Sequence, residues 1–532
     1  MALSLFNKQG LPLKALILTV VFSFGLNINN SFAQKVKEEE SVTGCVKGDT
    51  YFYAGSYHRA LKEYMKYYSK GTKNKTNRAL ILKIIESIVN EDMPQDTACY
   101  FVDRYMQLDT EDINAYLLAA KANYHSHRFD KAKKYLNEYM TMIQEGDQMK
   151  EANELMKNIN NAAKMVADSA KIHLVNMGEM INSPSNEICP FITKDNSVLY
   201  FSCDEKFNSA DLINYYSIKF SENQDLSWTK SKMATGPINT LFDDYVTNIF
   251  DGGLMITSNR YGDFGIIECK EKGAAGKFAT ADKLIEPIDL IGDEVGCTIK
   301  GDTIIFSATT ANDKLDLYYS IRMSGKWSEA RPLPGEVNTE LYDENYPNLS
   351  HDGKRLFFAS NNAETSMGGY DLYYSDLDPN EFKWGKPVQL PYPINDTFDN
   401  MTISFTSDDR YAYISNVRKD SYGCRDIYCV IDPAKETTTA IMKCFVGIEM
   451  KPKPRPLTQM PLIQVFDQDE EIVSTARLNL QTSTFIMALD PGVYTIRIQS
   501  PEAEDFESTI KVEEKVYSQD VIQKIFLLSA TE

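Results

Sequence analysis

At 532 residues the chain exceeds what one hydrophobic core supports, so it must divide into domains. Its 43% hydrophobic and 25% charged residues are those of a globular protein, and 31 Tyr with 26 Phe, beside frequent Gly-Asp and Asp-Gly pairs, lean towards β structure. A formal net charge of -19, carried mostly by the middle of the sequence, excludes the basic face that nucleic-acid binding requires.

Lys8 and Lys14 precede an apolar stretch from Ala15 to Leu26, and Ser31-Phe32-Ala33 supplies a small-x-small cleavage site before Gln34. Residues 1–33 therefore read as a signal peptide, and the protein as exported. The stretch is about twelve residues long, too short to span a bilayer, and no other approaches about eighteen. A soluble or peripheral protein is expected, not a transmembrane one. Val42-Thr43-Gly44-Cys45 reads like a lipobox, but charged residues from Lys35 to Glu40 separate it from the apolar core. Lipidation of Cys45 is the lesser reading.

All nine Cys follow the cleavage site, and an odd number leaves at least one unpaired within the protein. They show no C-x-x-C or Cys/His zinc spacing. Cys189 and Cys203 flank a hairpin centred on Asp195-Asn196, so a disulfide between them fits an oxidising compartment; buried free thiols are the simpler alternative.

Residues 35–168 carry a helical pattern. Gly48 to Tyr64 pairs two short amphipathic helices around a turn, and Asn114 to Tyr135 repeats the scheme: Ala120 stands where Gly48 stood, Phe129 where Tyr57 stood, Ala132 where Ala60 stood. Small residues at those points let two helices approach closely. A degenerate unit fits between, roughly Ser87 to Asp103. The segment resembles the tetratricopeptide repeat, and the resemblance implies an α-helical solenoid. Cys45 falls inside the first helix of its first repeat.

Over residues 170–433 the pattern changes to strands in a countable repeat. Ile181-Asn182-Ser183, Ile238-Asn239-Thr240, Ile288-Asp289-Leu290, Val337-Asn338-Thr339 and Ile394-Asn395-Asp396 recur at intervals of 57, 50, 49 and 57 residues. Each is followed by an acidic or amide pair: Asn186-Glu187, Asp243-Asp244, Asp293-Glu294, Asp343-Glu344 and Asp399-Asn400. Trp228, Phe278, Trp327 and Trp384 each lie 11 residues before one of the last four Asn/Asp positions, so all 3 tryptophans share one phase. Gly301-Asp302, Asp352-Gly353 and Asp408-Asp409 sit at hairpin turns. Asp316-Leu317-Tyr318-Tyr319 recurs as Asp371-Leu372-Tyr373-Tyr374 and Asp426-Ile427-Tyr428-Cys429. Four strands in roughly 50 residues, repeated, predict propeller blades. The last unit ends after its third strand, so Lys171 to Ile181 is expected to supply the fourth. These residues resemble the WD40-like repeat of TolB-type proteins, which implies a β-propeller, here five-bladed and closed by its N-terminal strand.

From 440 to 530, Pro452, Pro454, Pro456 and Pro461 open a region with strands at Leu462–Phe466, near Phe485 and after Pro491-Gly492. A small β-sandwich is expected, and the turn-then-strand phrase resembles the carboxypeptidase regulatory-like domain. The fold class is thus multidomain, α then all-β.

Catalytic material is scarce. Five His are present; His125 and His127 do not share a helix face, and neither His173 nor His351 sits in a motif that would activate a Cys. No G-x-S-x-G elbow appears. The acidic pairs could bind Ca²⁺, but turn capping explains them better. No enzyme, metal or cofactor is expected. Binding is favoured, through a helical groove lined by Asp49, Phe52, Tyr53, Asn114, Leu117, Lys121, Tyr124 and His125; the same faces could instead pack against the propeller.

A signal peptide, tetratricopeptide repeats, a WD40-like propeller and a regulatory-like sandwich, in that order, resemble the PorE-type accessory proteins of the type IX secretion system of Bacteroidota. The resemblance implies a non-enzymatic scaffold in the periplasm or on the periplasmic face of the outer membrane, bound to envelope proteins. That family carries an OmpA-type domain next; here the sequence stops at Glu532, so peptidoglycan binding is not implied. The alternative is a ligand sensor whose propeller binds a glycan, peptide or cation.

Overall fold

The structure, a computed structural model, describes residues 41–108, 111–210, 212–224, 227–284, 288, 293–310, 314–407, 409, 411–432, 440–512 and 522–530. The predicted signal peptide, Asp289 and Leu290 of the third marker, and Asp408 lie outside them. The described residues fall into two compact units, one of those up to 223 with those of 228–430, the other of 224, 227 and those from 431 onward.

The first unit begins with seven helices among the described residues: α1 Val46–Tyr53, α2 Tyr57–Ser69, α3 Arg78–Val89, α4 Asp96–Tyr105, α5 Ile113–His125, α6 Phe129–Met142 and α7 Asp147–Ala167. Each packs on the next. The small residues of the pattern sit at the contacts: Ala60, Ala120 and Ala132 are wholly buried, and a Cβ on Gly48 would strike the Tyr64 ring. Cys45 is the N-cap of α1 rather than a residue within it, buried against the Glu63 carbonyl 3.7 Å away.

The rest of this unit is β, propeller-like in its arrangement. Four antiparallel sheets follow in order, built on Glu187–Ile192/Val198–Asn208/Ile213–Gln224, Asp244–Phe250/Gly253–Ser258/Gly265–Glu271, Glu294–Lys300/Thr303–Thr309/Leu315–Met323 and Glu344–Leu349/Arg355–Ser360/Asp371–Asp378. Short outer strands complete them, such as Phe278–Lys283 in the second. A fifth sheet holds Ile403–Phe405, Tyr411–Asn416 and Asp426–Ile431, and His173–Asn176 lies beside its third strand. The first strands of the first four sheets touch in sequence, Asn348 donates to the Ile403 carbonyl at 2.7 Å, and Glu187–Ile192 touches both Ile403–Phe405 and Tyr411–Asn416.

Register explains the repeat. In the first four sheets the second residue of the acidic pair faces a residue of strand two, which in turn faces a residue of strand three: Glu344, Ser360 and Asp371 form one such row, and Glu187, Cys203 and Ser217 another. The marker asparagine imitates a strand residue. Asn239 Oδ1 accepts from the Ile218 amide at 2.6 Å while its Nδ2 donates to the Ile218 carbonyl at 2.9 Å; Asn338 does the same with Leu317, and Asn395 with Leu372. Asn182 makes this double bond with Ile427, of the last sheet. The phased aromatics pack back onto the preceding sheet: Phe278 on Tyr200 at 6.2 Å, Trp384 in one core with Ile305 and Leu317, and Trp228 on Tyr413 of the fifth sheet at 6.3 Å. Gly236 and Gly335 have positive φ and lie where the backbones of Phe278 and Trp384 arrive, so neither position has room for a Cβ.

The second unit holds two four-stranded sheets. One centres on Ala440–Ile448, with Ile522–Leu528 parallel to it; the other runs Ile472–Ala476, Leu462–Phe466, Gly492–Ser500 and Ala503–Val512. Val446, Phe485, Ile463 and Ile496, from both sheets, share one core. The Pro491-Gly492 turn leads from one sheet to the other.

Candidate functional site

One repeated position builds a face on the β sheets. The strand-three residues of these rows, and Asp426 in the fifth sheet, are preceded by Tyr216, Phe264, Leu315, Tyr370 and Arg425, and each backbone N–H donates to the first residue of the acidic pair that opens the next sheet: Asp243, Asp293, Asp343, Asp399 and, for Arg425, Asn186. Arg425 alone in this set is charged. Its side chain is 2% exposed, donates to the Asp399 carbonyl at 2.5 Å and pairs with Asp92 of the α3–α4 turn at 2.9 Å. The helices are tied to the same face elsewhere. His125 stacks on Phe398 at 4.5 Å with Nδ1 3.3 Å from Thr397 Oγ1, Arg59 lies over the Phe207 ring at 3.6 Å, and Asn158 of α7 donates to the Gly368 carbonyl at 3.0 Å.

Between the helices and the last two sheets lies a cleft of about 400 Å³. Gln95 and Asp96 at the start of α4 and His125 to His127 at the end of α5 form one side. Tyr392, Asp396 to Phe398 and Val417 to Asp420 form the other. Lys419 spans the gap to Asp96 at 3.4 Å, and Asp96 also takes Arg128 at 2.9 Å. Burial holds His125 neutral, its pKa pushed down to about 3. His127 is lowered too, first by burial and then by Arg418 and Lys419 facing it. Burial acts oppositely on the acid, raising Asp396 to about 6.

The predicted groove residues are not gathered in one open channel. Asp49 is buried and accepts from Ser41 Oγ at 2.6 Å, Thr43 Oγ1 at 2.8 Å and Tyr64 Oη at 2.8 Å, so it organises the start of the array and faces no partner. Phe52 is half-buried under Lys83, whose Nζ is 4.0 Å from the ring centre. Tyr53 and Asn114 are exposed. Leu117 and Tyr124 join a core containing Met367 and Tyr392 of the β region, while Lys121 is half-buried with Glu151 as its counter-charge. The helix face expected to hold a partner is turned, around His125, onto the sheets. The residues that build the cleft were missed except His125. Arg425 carried a signal, a charge at a position otherwise aromatic or aliphatic.

Cys189 and Cys203 are not bridged, which is the simpler of the two expectations. A bulge between Ile188 and Phe191 places Glu187, not Cys189, opposite Cys203, and the Cys203 thiol donates to Glu187 at 3.2 Å. No disulfide joins any of the nine cysteines, and all are buried. Cys424 does meet a histidine: its Sγ is 3.6 Å from His58 Nδ1 and 3.7 Å from Glu91. At 1% exposure it offers a substrate carbonyl no approach. The acidic pairs bond protein groups, as Glu344 does with the Thr339 amide at 2.9 Å and Ser360 Oγ at 3.1 Å.

No family model and no curated protein matches the sequence. Solved structures that resemble the protein are distant. One solved as an RGII complex aligns over 55% of this protein and 98% of its own length at 10% identity and a TM-score of 0.37. TolB from Acinetobacter baumannii aligns over 56% and 64% at 11% identity and a TM-score of 0.28. A gluconolactonase from Xanthomonas campestris aligns over 50% and 92% at 9% identity and a TM-score of 0.28.

Proposed function

We propose that this protein is an exported, non-enzymatic scaffold of the bacterial envelope, in which a tetratricopeptide-like array is fixed over one face of a five-bladed propeller closed by the strand His173–Asn176. Asn182 and Trp228 support the closure: Asn182 bonds Ile427 of the fifth sheet as Asn239 bonds Ile218 of the sheet it follows, and Trp228 packs on the fifth sheet as Phe278 packs on the first. Periplasmic or outer-membrane association, and a place beside type IX secretion components, follow from the resemblance of the domain order.

The observation that carries a protein-binding role is apolar exposure at matched loops. Leu241 and Leu341 each lie two residues before the acidic pair of their sheet, 77% and 70% exposed, and Phe242 and Tyr342 follow them. Large apolar side chains left exposed at a repeated position offer apolar surface that a partner would bury. The full-length protein, used as bait in a detergent extract of its own envelope, is expected to retain other envelope proteins. Leu241→Asp with Leu341→Asp is expected to release them. Bait recovered alone, or capture indifferent to both substitutions, refutes the reading.

A further inference from the structure

The cleft between helices and sheets contains a guanidinium on which Asp396 acts only through space. Arg418 is half-buried on the wall, and among the described residues its side chain makes no ion pair and no hydrogen bond; only its backbone is engaged, by Ser421. The neighbouring charges are matched. Lys419 has Asp96, Asp420 accepts from the Tyr428 hydroxyl at 3.0 Å, and Asp396 accepts from the Phe398 amide at 2.8 Å and from Asn400 at 3.3 Å. A half-desolvated guanidinium is answered best by a planar carboxylate, which takes two of its N–H groups at once. A phosphate dianion would bring a second negative charge towards Asp96, Asp396 and Asp420, where the neighbouring Lys419 is already engaged by Asp96.

The rest of the lining limits what carries that carboxylate. Tyr392 and His127, half-buried and edge to face at 5.6 Å, give an aromatic wall. Asp96, Asp420 and Ser126 offer acceptors to hydroxyl donors. An apolar ring face with several hydroxyls is the chemistry of a sugar, and about 400 Å³ is at the small end of ligand sites, room for one or two rings. We infer that the cleft binds an acidic saccharide, a uronic acid, with its carboxylate on Arg418 and its ring against Tyr392. This goes beyond the scaffold reading and stands without it.

Calorimetric titration of the full-length protein with glucuronate and with galacturonate tests the inference, against glucose and N-acetylalanine as controls. One uronate is expected to bind at least about tenfold more tightly than glucose, the worth of a charge-assisted bidentate pair. Arg418→Gln is expected to erase that difference, and Arg418→Lys to leave part of it. Because the Arg418 side chain bonds none of the described residues, both variants should melt with the unaltered protein. Heat from neither uronate, neither uronate bound better than glucose, or affinity untouched in Arg418→Gln overturns the assignment. Equal affinity for N-acetylalanine overturns it in favour of a peptide carboxylate.

Discussion

Asn395 is wholly buried, and its amide is bonded on both sides: Oδ1 accepts from the Leu372 amide at 2.7 Å, and Nδ2 donates to the carbonyls of Leu372 and Leu390 at 2.9 and 2.7 Å. Asn395→Ala would orphan three backbone groups. At about 1–3 kcal/mol each, a loss of roughly 3 kcal/mol or more is expected in urea unfolding. Protonation offers a second residue-scale test. Burial pushes Glu187, Glu344 and Asp371 each up to about 8, against about 4 in an unfolded chain. Between those values the folded state holds protons that the unfolded state has released, so stability falls as pH rises. His125 acts in the opposite sense: held at about 3 when folded, it costs stability as pH falls below about 6.5. From about pH 6.5 to 8 the carboxylates act alone. The melting temperature is therefore expected to drop across that interval, less steeply in Glu344→Gln, and a flat profile in the unaltered protein would contradict the burial argument. Thiol titration is simpler still. No cysteine should react in the native protein and all nine should react once unfolded; two fewer would restore a disulfide.

At the scale of elements, repeat positions do mechanical work that their residue types reveal. Gly335 has positive φ, and the Trp384 backbone occupies the space a side chain would need. Gly335→Ala is expected to cost about 3 kcal/mol, by strain and overpacking together, whereas Gly325→Ala in an open turn keeps only the strain. Comparing the two separates packing from conformation. The seam has its own test. If Asn182 joins the first and last sheets as Asn239 joins strands within one, Asn182→Ala should destabilise the fold as much as Asn239→Ala does. A loss of a few tenths of a kcal/mol at Asn182 alone would mean that the seam opens freely, since surface substitutions fall in that range.

For the molecule as a whole, the join of helices to sheets is decided by a few long-range contacts. Arg425 is buried with Asp92 as its counter-charge. Removing one partner of such a pair leaves the other desolvated, at about 3–5 kcal/mol in fully buried cases and less here, where Asp92 keeps 28% of its side-chain surface. Arg425→Met is expected to raise amide exchange in the α3–α4 turn and around Thr397 before the sheets themselves unfold; exchange raised equally everywhere would assign Arg425 to the β core instead. Sequence periodicity placed the helices because small and aromatic residues mark helix contacts locally. It misassigned the outward face of α5, since whether Tyr124 and His125 meet solvent or Phe398 depends on residues more than about 270 positions away.

By itself the sequence determined the order of helical and β regions, the strands of each repeat, the turns between them, and the phase of its asparagines and tryptophans. Each of these reports a local requirement: a hairpin needs its turn residues, and a marker asparagine bonds a strand of its own unit. Tertiary structure alone decided the pairing of thiols, because one bulge shifts Cys189 out of register with Cys203. It also decided which charges are paired in contact. Arg418 looks like any surface arginine in the sequence, and it becomes a candidate binding group only because folding engages Lys419, Asp420 and Asp396 with other partners, while its own guanidinium forms no ion pair among the described residues and feels Asp396 only through space.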